Sequence, residues 1–375
     1  MTNPCLSTAS ISNLHKRAEL SRTLREFFDA RGFIEVQTPI LSRYCVIDRH
    51  LDPIRVASSS VGVSMQDDPH TRKKSNATEE FWYLQTSPEQ SMKRLLASGL
   101  GSCYQLGPVF RSAEFGQVHN PEFSMAEWYD LNADFEHGLS LLDELLQALL
   151  NTQPAKRIRF ADAFHDATQL PLFDTSVKDL AEWSVRRGLV DKQTWSHDWD
   201  DWVNLIFSLV VQPTLGLPTF GQPTSGQPTS GQRTTRQSTT QLPTTQLPAL
   251  KPVNEPGHPV LVTHFPASQA ALAKLDPTDP RTAERYEIFY RGVELANGYH
   301  ELLNPDELAK RARIANEQRV ADGKFPLPED NPLIDAMRIG FPSCCGCALG
   351  FDRVVMLACN ATTLREVIPF PADIA

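Results

Sequence analysis

F-R-S-A-E-F-G-Q-V-H-N-P-E-F-S-M-A-E-W-Y, residues 110–129, reads as the long turn and return strand of an antiparallel pair. Residues 104–111 supply Tyr, Leu, Val and Phe for the first strand, while Gly116 and Asn120-Pro121 break the middle. From Glu122 to Tyr129 the residues alternate, and a period of 2 puts Phe123, Met125, Glu127 and Tyr129 on one face. That face carries an aromatic ring, a thioether, a carboxylate and a phenol in a row, with Arg111 on the neighbouring strand. A guanidinium grips phosphate or carboxylate bidentately, a ring stacks on a base, and a carboxylate holds an ammonium.

At 375 residues the chain is long enough to bury a substantial core, and 41% hydrophobic with 22% charged residues is the balance of a soluble globular protein. No apolar run approaches the roughly 20 residues that span a bilayer, and the N-terminus lacks a basic region followed by an apolar core. A cytoplasmic protein with no membrane contact is expected. Of the seven cysteines only Cys344, Cys345 and Cys347 cluster. They lack a second group at ligand spacing, so reduced thiols and no zinc site are expected. The net charge is −9. A nucleic-acid surface needs a Lys or Arg for each phosphate it meets, and no basic stripe is visible.

Around this stretch, residues 13–31 read as a helix with Leu20, Leu24, Phe27 and Phe28 as its apolar stripe and Gly32 at its end. A helix-to-strand junction follows, closed by Pro39. Residues 58–80 are polar and read as a surface loop. T-S-P-E-Q-S-M-K-R-L-L-A-S-G, residues 86–99, is punctuated as a helix, with Ser87 at N-cap, Pro88 at N1, Gln90 closing a capping box and Gly99 ending it. The helix dipole favours an ionised Glu89 there. Trp183, Trp195, Trp199 and Trp202 read as packing. From Gln212 the composition changes to a P-T-S-G-Q repeat with no acidic residue, too poor in apolar side chains to offset the entropy of ordering it.

Residues 284–301, E-R-Y-E-I-F-Y-R-G-V-E-L-A-N-G-Y-H-E, read as a hairpin turning at Arg291-Gly292. Tyr290 then faces Val293 and Phe289 faces Glu294, which leaves Glu287 diagonal to Glu294 on one face. Two carboxylates so placed suit a hard cation such as Mg²⁺. Glu301 has the opposite parity, and a bulge at Asn297-Gly298 would restore it. Finally, G-C-A-L-G-F-D-R-V-V-M-L-A, residues 346–358, is a small-residue strand, a glycine break and an apolar helix opened by Asp352 and Arg353. A helix N-terminus beside an arginine is a phosphate site.

These strings resemble, in order, the motifs of class II aminoacyl-tRNA synthetases in the form used by lysyl-tRNA synthetases. Residues 32–41 are similar to motif 1, 110–129 to motif 2 and 346–358 to motif 3. The resemblance implies an α+β fold, an antiparallel sheet flanked by helices, and a homodimer. It implies one catalytic domain, residues 13–375, after a tail at 1–12, with the low-complexity insertion at 212–256 inside it. With motif 1 this near the start of the sequence, an anticodon-binding OB domain ahead of it is not expected.

T-S-P-E, H-N-P-E-F, H-F-P-A-S-Q-A and E-L-A-N-G-Y-H-E resemble the bacterial branch that ligates lysine, preferably (R)-β-lysine, onto a lysine of elongation factor P. That likeness makes elongation factor P, lysine and ATP the expected partners, with tRNA not expected. It implies catalytic roles for Arg111 and Arg353. Ser87, Pro88, Glu89, Glu127, Tyr129, Asn297, Glu301 and Ala348 would bind the amino acid, the Ala348 methyl favouring the β-amino isomer. Arg111, Ser112, Ala113, Glu114, Asn120, Phe123, Glu294, Leu295, Gly350 and Arg353 would bind ATP, with Mg²⁺ on Glu287 and Glu294. One position departs: motif 2 has F-R-x-E, and here Ala113 stands at the Glu position with the acid at Glu114. Two rival readings stay open, a truncated lysyl-tRNA-synthetase-like enzyme acting on tRNA and a catalytically inactive binding paralogue.

Overall fold

The computed structural model describes residues 5–61, 81–217 and 257–375. Its strands, in chain order, are β1 (Ile34–Glu35), β2 (Leu41–Ser42), β3 (Arg55–Ala57), β4 (Phe81–Leu84), β5 (Cys103–Phe110) and β6 (Glu122–Leu131), then β7 (Lys156–Arg159), β8 (Val260–Pro266), β9 (Thr282–Tyr290), β10 (Val293–His300) and β11 (Cys344–Gly350). Eight of them form one sheet in the order β1-β5-β6-β11-β10-β9-β8-β7, and β2-β4-β3 form a small second sheet. The large sheet is antiparallel at its centre, as expected, while its two edge pairs, β1–β5 and β7–β8, run parallel.

The alternation along β6 decides the two faces. Ala126 and Trp128 point into the main core, which the helices Ile11–Asp29, Phe135–Leu150 and Phe351–Ala358 cover. Tyr286, Ile288 and Tyr290 of β9 join them there. The opposite face, with Met125, Glu127 and Tyr129, lines a cleft. A second core packs Phe160, Phe164, Trp183, Trp202 and Phe207 against Phe265 and Phe289 of the sheet. The tryptophans are packing residues: Trp202 is fully buried, and its indole N–H donates to the Ser196 carbonyl at 2.9 Å.

Several boundaries differ from expectation, each for a local reason. The first helix spans Ile11–Asp29, starting early because the Ser10 hydroxyl accepts from the Asn13 N–H at 3.1 Å. The tail is tied down from Thr8, whose N–H donates to the Pro369 carbonyl at 2.9 Å, and Ala9 is buried. Ser58–Val61 forms a helical turn, and the remainder of the expected 58–80 loop lies outside the described residues. Residues 212–217 belong to the folded body. Leu215 is buried and its carbonyl accepts from the Gly292 N–H at 2.8 Å, so the expected insertion at 212–256 starts too early. Residues 218–256 lie outside the described residues.

Arg291 and Gly292, at φ +53° and +75°, make the expected two-residue turn, with Tyr290 opposite Val293 and Phe289 opposite Glu294. The bulge is elsewhere: the register shifts between Glu294 and Ala296, not at Asn297-Gly298. Gly298 serves a different need, since a Cβ there would stand 2.3 Å from the Tyr286 ring. The shift still restores parity, and Glu294, Asn297, Tyr299 and Glu301 all line the cleft. No described helix is long and apolar enough to cross a membrane.

Candidate active site

The cleft measures about 930 Å³ and draws on β6, β9, β10, β11, the turn at 111–120 and the start of the Glu89–Ala97 helix. Its two ends differ in charge. At one, Arg111 follows β5 directly, its N–H donating to the Pro121 carbonyl at 2.8 Å and its guanidinium 5.1 Å from the Phe123 ring. Arg353 enters from the Phe351–Ala358 helix. Its guanidinium donates to the carbonyls of Val118 at 3.2 Å and Glu294 at 2.9 Å and to His119 Nε2 at 2.8 Å. Accepting that bond requires a neutral ring. The protein packed beside the ring, although His119 is exposed, and then the Arg353 charge hold the His119 pKa well below its usual value. Two guanidiniums and an aromatic face, close together, suit a polyphosphate bearing a base.

The opposite end is acidic. Glu127 is 2% exposed and accepts from the Ser87 hydroxyl at 2.7 Å and the Tyr129 hydroxyl at 2.6 Å. Burial, then the neighbouring Glu89, pushes it up to about 7 against those two hydrogen bonds. Glu89 and Glu301 share the ammonium of Lys93, at 2.5 Å and 2.6 Å. The expected capping box does not form, because Ser87 turns its hydroxyl to Glu127 and Gln90 donates to the Cys45 carbonyl. Ser87 keeps half of the motif by accepting the Glu89 N–H at 3.0 Å.

Between the ends, Glu287 lies opposite Asn297 and pairs with Arg285 at 2.5 Å. Burial pushes Glu287 up to about 7, against the pull of Arg285. Asn297 donates to the Tyr299 hydroxyl at 3.0 Å, and its Oδ1 is buried without a protein partner. Ala348 faces Glu127 on one side of β11 and Asn297 on the other, so its methyl sits on the floor between the two ends.

Most expected residues line this one cleft: Ser87, Glu89, Arg111, Glu114, Asn120, Phe123, Glu127, Tyr129, Glu287, Glu294, Leu295, Asn297, Glu301, Ala348, Gly350 and Arg353. Three do not. Pro88 is the N-cap residue of its helix, its side chain off the cleft wall. Ser112 and Ala113 are exposed on the outside of the turn, Ser112 donating its N–H to the Asp52 carbonyl at 2.7 Å and Ala113 at φ +62°. That left-handed residue rotates the turn so that Glu114, not position 113, faces inward, 3.8 Å from Arg111. Asn120 lines the cleft but uses its side chain within the protein, donating to Glu122 and accepting from the Ala372 N–H. Asp352 is engaged by Arg17 and by the Ser124 N–H.

Sequence reading missed His119, Arg285 and Lys93. His119 stood inside the quoted H-N-P-E-F string, and Lys93 is four residues from Glu89 on one helix face, a spacing that pairs an acid with a base. Arg285, two residues before Glu287, shares its strand face.

The cleft thus has a two-arginine end and an acidic end, on a sheet that is antiparallel at its centre. Residues 5–374 match the family described as tRNA synthetases class II (D, K and N), and the chain belongs to it. More particularly, it is 37% identical over 372 residues to the elongation factor P--(R)-beta-lysine ligase of Vibrio cholerae serotype O1 (strain ATCC 39315 / El Tor Inaba N16961), covering 99% of each chain. The protein of that name from Photobacterium profundum is 36% identical over 375 residues, 100% of both. Another, from Salmonella arizonae (strain ATCC BAA-731 / CDC346-86 / RSK2980), is 36% identical over 366 residues, 98% of this chain and 97% of that one.

Proposed function

We propose that the protein is an ATP-dependent ligase that activates a lysine, (R)-β-lysine in particular, as its acyl-adenylate and passes it to a lysine side chain of elongation factor P. One observation carries this reading. The cleft sets Arg111, Arg353 and Phe123 at one end and Glu89, Glu127 and Glu301 at the other. A diamino acid laid along it points its carboxylate at the nucleotide end and its ammonium groups at the acids. The full-length likeness to ligases of that name supports the same substrates.

Within this reading Phe123 stacks on the adenine, beside Asn120, Leu295 and Gly350, with Glu114 nearby. Arg111 bridges the substrate carboxylate and the α-phosphate, and Arg353 holds the far end of the triphosphate. Ser87 and Tyr129 orient Glu127 through its two oxygens, while Asn297 meets the substrate carboxylate over the Ala348 floor. The attacking carboxylate is already ionised, so no general base is required. The carboxylate oxygen bonds to the α-phosphorus and pyrophosphate leaves with the electron pair of the bond between the α- and β-phosphates, a step carried by orientation and charge neutralisation. The acceptor lysine, as its neutral amine, then attacks the acyl carbon, AMP leaves with the electron pair of the mixed-anhydride bond, and the new amide nitrogen gives up one proton to solvent.

Magnesium fits this cleft. Glu287, Glu294 and the unpartnered Asn297 Oδ1 offer hard oxygen donors, and a cation there would relieve the buried charge of Glu287. Among the described residues no group of three or more His, Cys, Asp or Glu side chains has metal-holding geometry, so phosphate and water would supply the other oxygens. When bound, the ion neutralises phosphate charge. A second copy of the chain would dock on the motif 1 segment, where Ile34 and Ile40 are 45% and 40% exposed. The proposed folded unit comprises residues 8–217 and 257–375, with the low-complexity insertion between them.

Pyrophosphate exchange with (R)-β-lysine and α-lysine, followed by transfer of labelled lysine to elongation factor P, tests the assignment. Absence of exchange with either isomer would leave an inactive paralogue. Acylation of tRNA-Lys at a rate matching transfer to the factor would favour the tRNA enzyme.

A further inference from the structure

A buried ammonium stands behind the acidic end, and no role assigned above uses it. Lys93 is 4% exposed, and its Nζ donates to Glu89 Oε1 and Glu301 Oε2. Glu89, Glu127 and Glu301 line the cleft, whereas Lys93 does not, so it meets the carboxylates from their far side. The titratable groups facing it are Glu89 on its own helix, Glu127 and Tyr129 from β6, Glu301 just past β10 and Cys344 from β11. The Tyr129 ring centroid is 5.6 Å away. Burial works against the charge on Lys93, and the carboxylates of Glu301 and Glu89 hold it protonated.

An apolar side chain would fill this volume without the desolvation cost, so the ammonium answers a need of the acids. Burial pushes Glu127 up to about 7 and Glu301 up to about 8, and once all three carboxylates are ionised the one ammonium leaves two negative charges at the cleft wall. Two is the positive charge of the paired ammonium groups on a lysine. The two hydrogen bonds also fix the carboxylate planes of Glu89 and Glu301, which come from segments 212 residues apart in the chain.

We propose that Lys93 is a positioning residue of the amine subsite. Its two hydrogen bonds orient Glu89 and Glu301, and its charge offsets part of theirs, which sets the subsite to match a diamine. The proposal rests on the reading that this end of the cleft takes the ammonium groups of a lysine.

Three variants test it: Lys93→Met keeps the stem and removes the charge, Lys93→Gln keeps a hydrogen-bond donor, and Lys93→Arg keeps the charge. The first measurement needs no substrate. Glu301 is pushed up to about 8 by burial against the pull of Lys93, and without the ammonium its folded pKa rises further above the unfolded one. Its contribution to stability is then full at low pH and lost as pH rises through the folded value. The melting-temperature deficit of Lys93→Met against the unaltered protein is expected to be wider at about pH 8.5 than at about pH 6, with Lys93→Arg narrowing it. A deficit equal at both pH values assigns Lys93 to packing alone and overturns the proposal. If Lys93→Met does not fold, Lys93→Gln is read in the same way.

The second measurement is pyrophosphate exchange. Lys93→Met should raise KM for (R)-β-lysine about tenfold or more while KM for ATP moves less than about twofold. An unchanged lysine KM overturns the proposal. If the unaltered protein exchanges with no lysine isomer while the pH-dependent deficit persists, the reaction assignment fails and the charge-setting role stands.

Discussion

A Cβ built on Gly346 would lie 2.2 Å from Oε1 of Glu301 and 2.4 Å from the Tyr129 ring. Only a hydrogen fits between β11 and the acidic wall. Gly346→Ala must therefore displace Glu301 or Tyr129, both buried. The expected outcome is a rise in lysine KM of about tenfold or more, with KM for ATP within about twofold of the starting value and a stability loss of roughly 1–3 kcal/mol. Steady-state pyrophosphate exchange with each substrate varied in turn, beside a denaturant titration, checks it.

The Arg111 guanidinium makes one long bond within the protein, to the Thr86 carbonyl at 3.4 Å, and lies 3.8 Å from Glu114. Its removal takes from the protein only that one weak donor. Arg111→Ala is expected to lower adenylate formation by about 10²–10³-fold or more with the melting temperature little changed. Exchange at the unaltered rate would take this residue out of the reaction. Arg353→Ala is the contrasting case: it also strips donors from the Val118 and Glu294 carbonyls, so stability should fall together with exchange.

Glu127 titrates at about 7 because burial, and then Glu89, resists its charge. Substrate ammonium groups, with pKa values near about 10, stay charged across this range, so binding requires the carboxylate form. Lysine KM is expected to fall about tenfold or more between roughly pH 6 and pH 8, as Glu127 and then Glu301, pushed up to about 8 by burial, ionise. Stability moves the opposite way in the free protein. The folded pKa is raised above the ordinary carboxylate value, so the contribution of Glu127 is full below about pH 4 and is lost as pH rises through about 7. Melting temperature and KM recorded over the same buffers separate the two trends. Glu127→Gln should weaken both trends, with Glu287 and Glu301 keeping part of the stability trend.

The described residues that flank 218–256 both meet Tyr290, Gly216 at its backbone and Gly257 at its hydroxyl. A Cβ on Gly216 would touch the Tyr290 backbone at 2.9 Å, and the Gly257 N–H donates to the Tyr290 hydroxyl at 3.2 Å. The gap is short. Replacing residues 218–256 by a short glycine–serine linker is expected to leave lysine activation within about twofold and the melting temperature within a few degrees, because removing chain between neighbouring anchors changes closure entropy by only about 1 kcal/mol. A collapse of the melting temperature would show that the segment carries part of the fold.

How much was legible follows from the range of each interaction. The period of 2 from Phe123 to Tyr129 and the left-handed pair Arg291-Gly292 are local properties, so the sequence alone determined the cleft-facing row and the register of the β9–β10 hairpin. The strand, glycine and arginine of residues 346–358 placed Arg353 in the same way. Periodicity says nothing about partners far along the chain. The bulge moved to Glu294–Ala296, Asn120 was claimed by Ala372, and Lys93 closed onto Glu301, 208 residues away, through packing of elements that no local pattern joins. Burial is a tertiary property as well. It raised Glu127 and Glu287 toward neutrality and turned an acidic string into a wall of calibrated charge. Residue types chose the chemistry; the fold decided which of them meet, and in what state of charge.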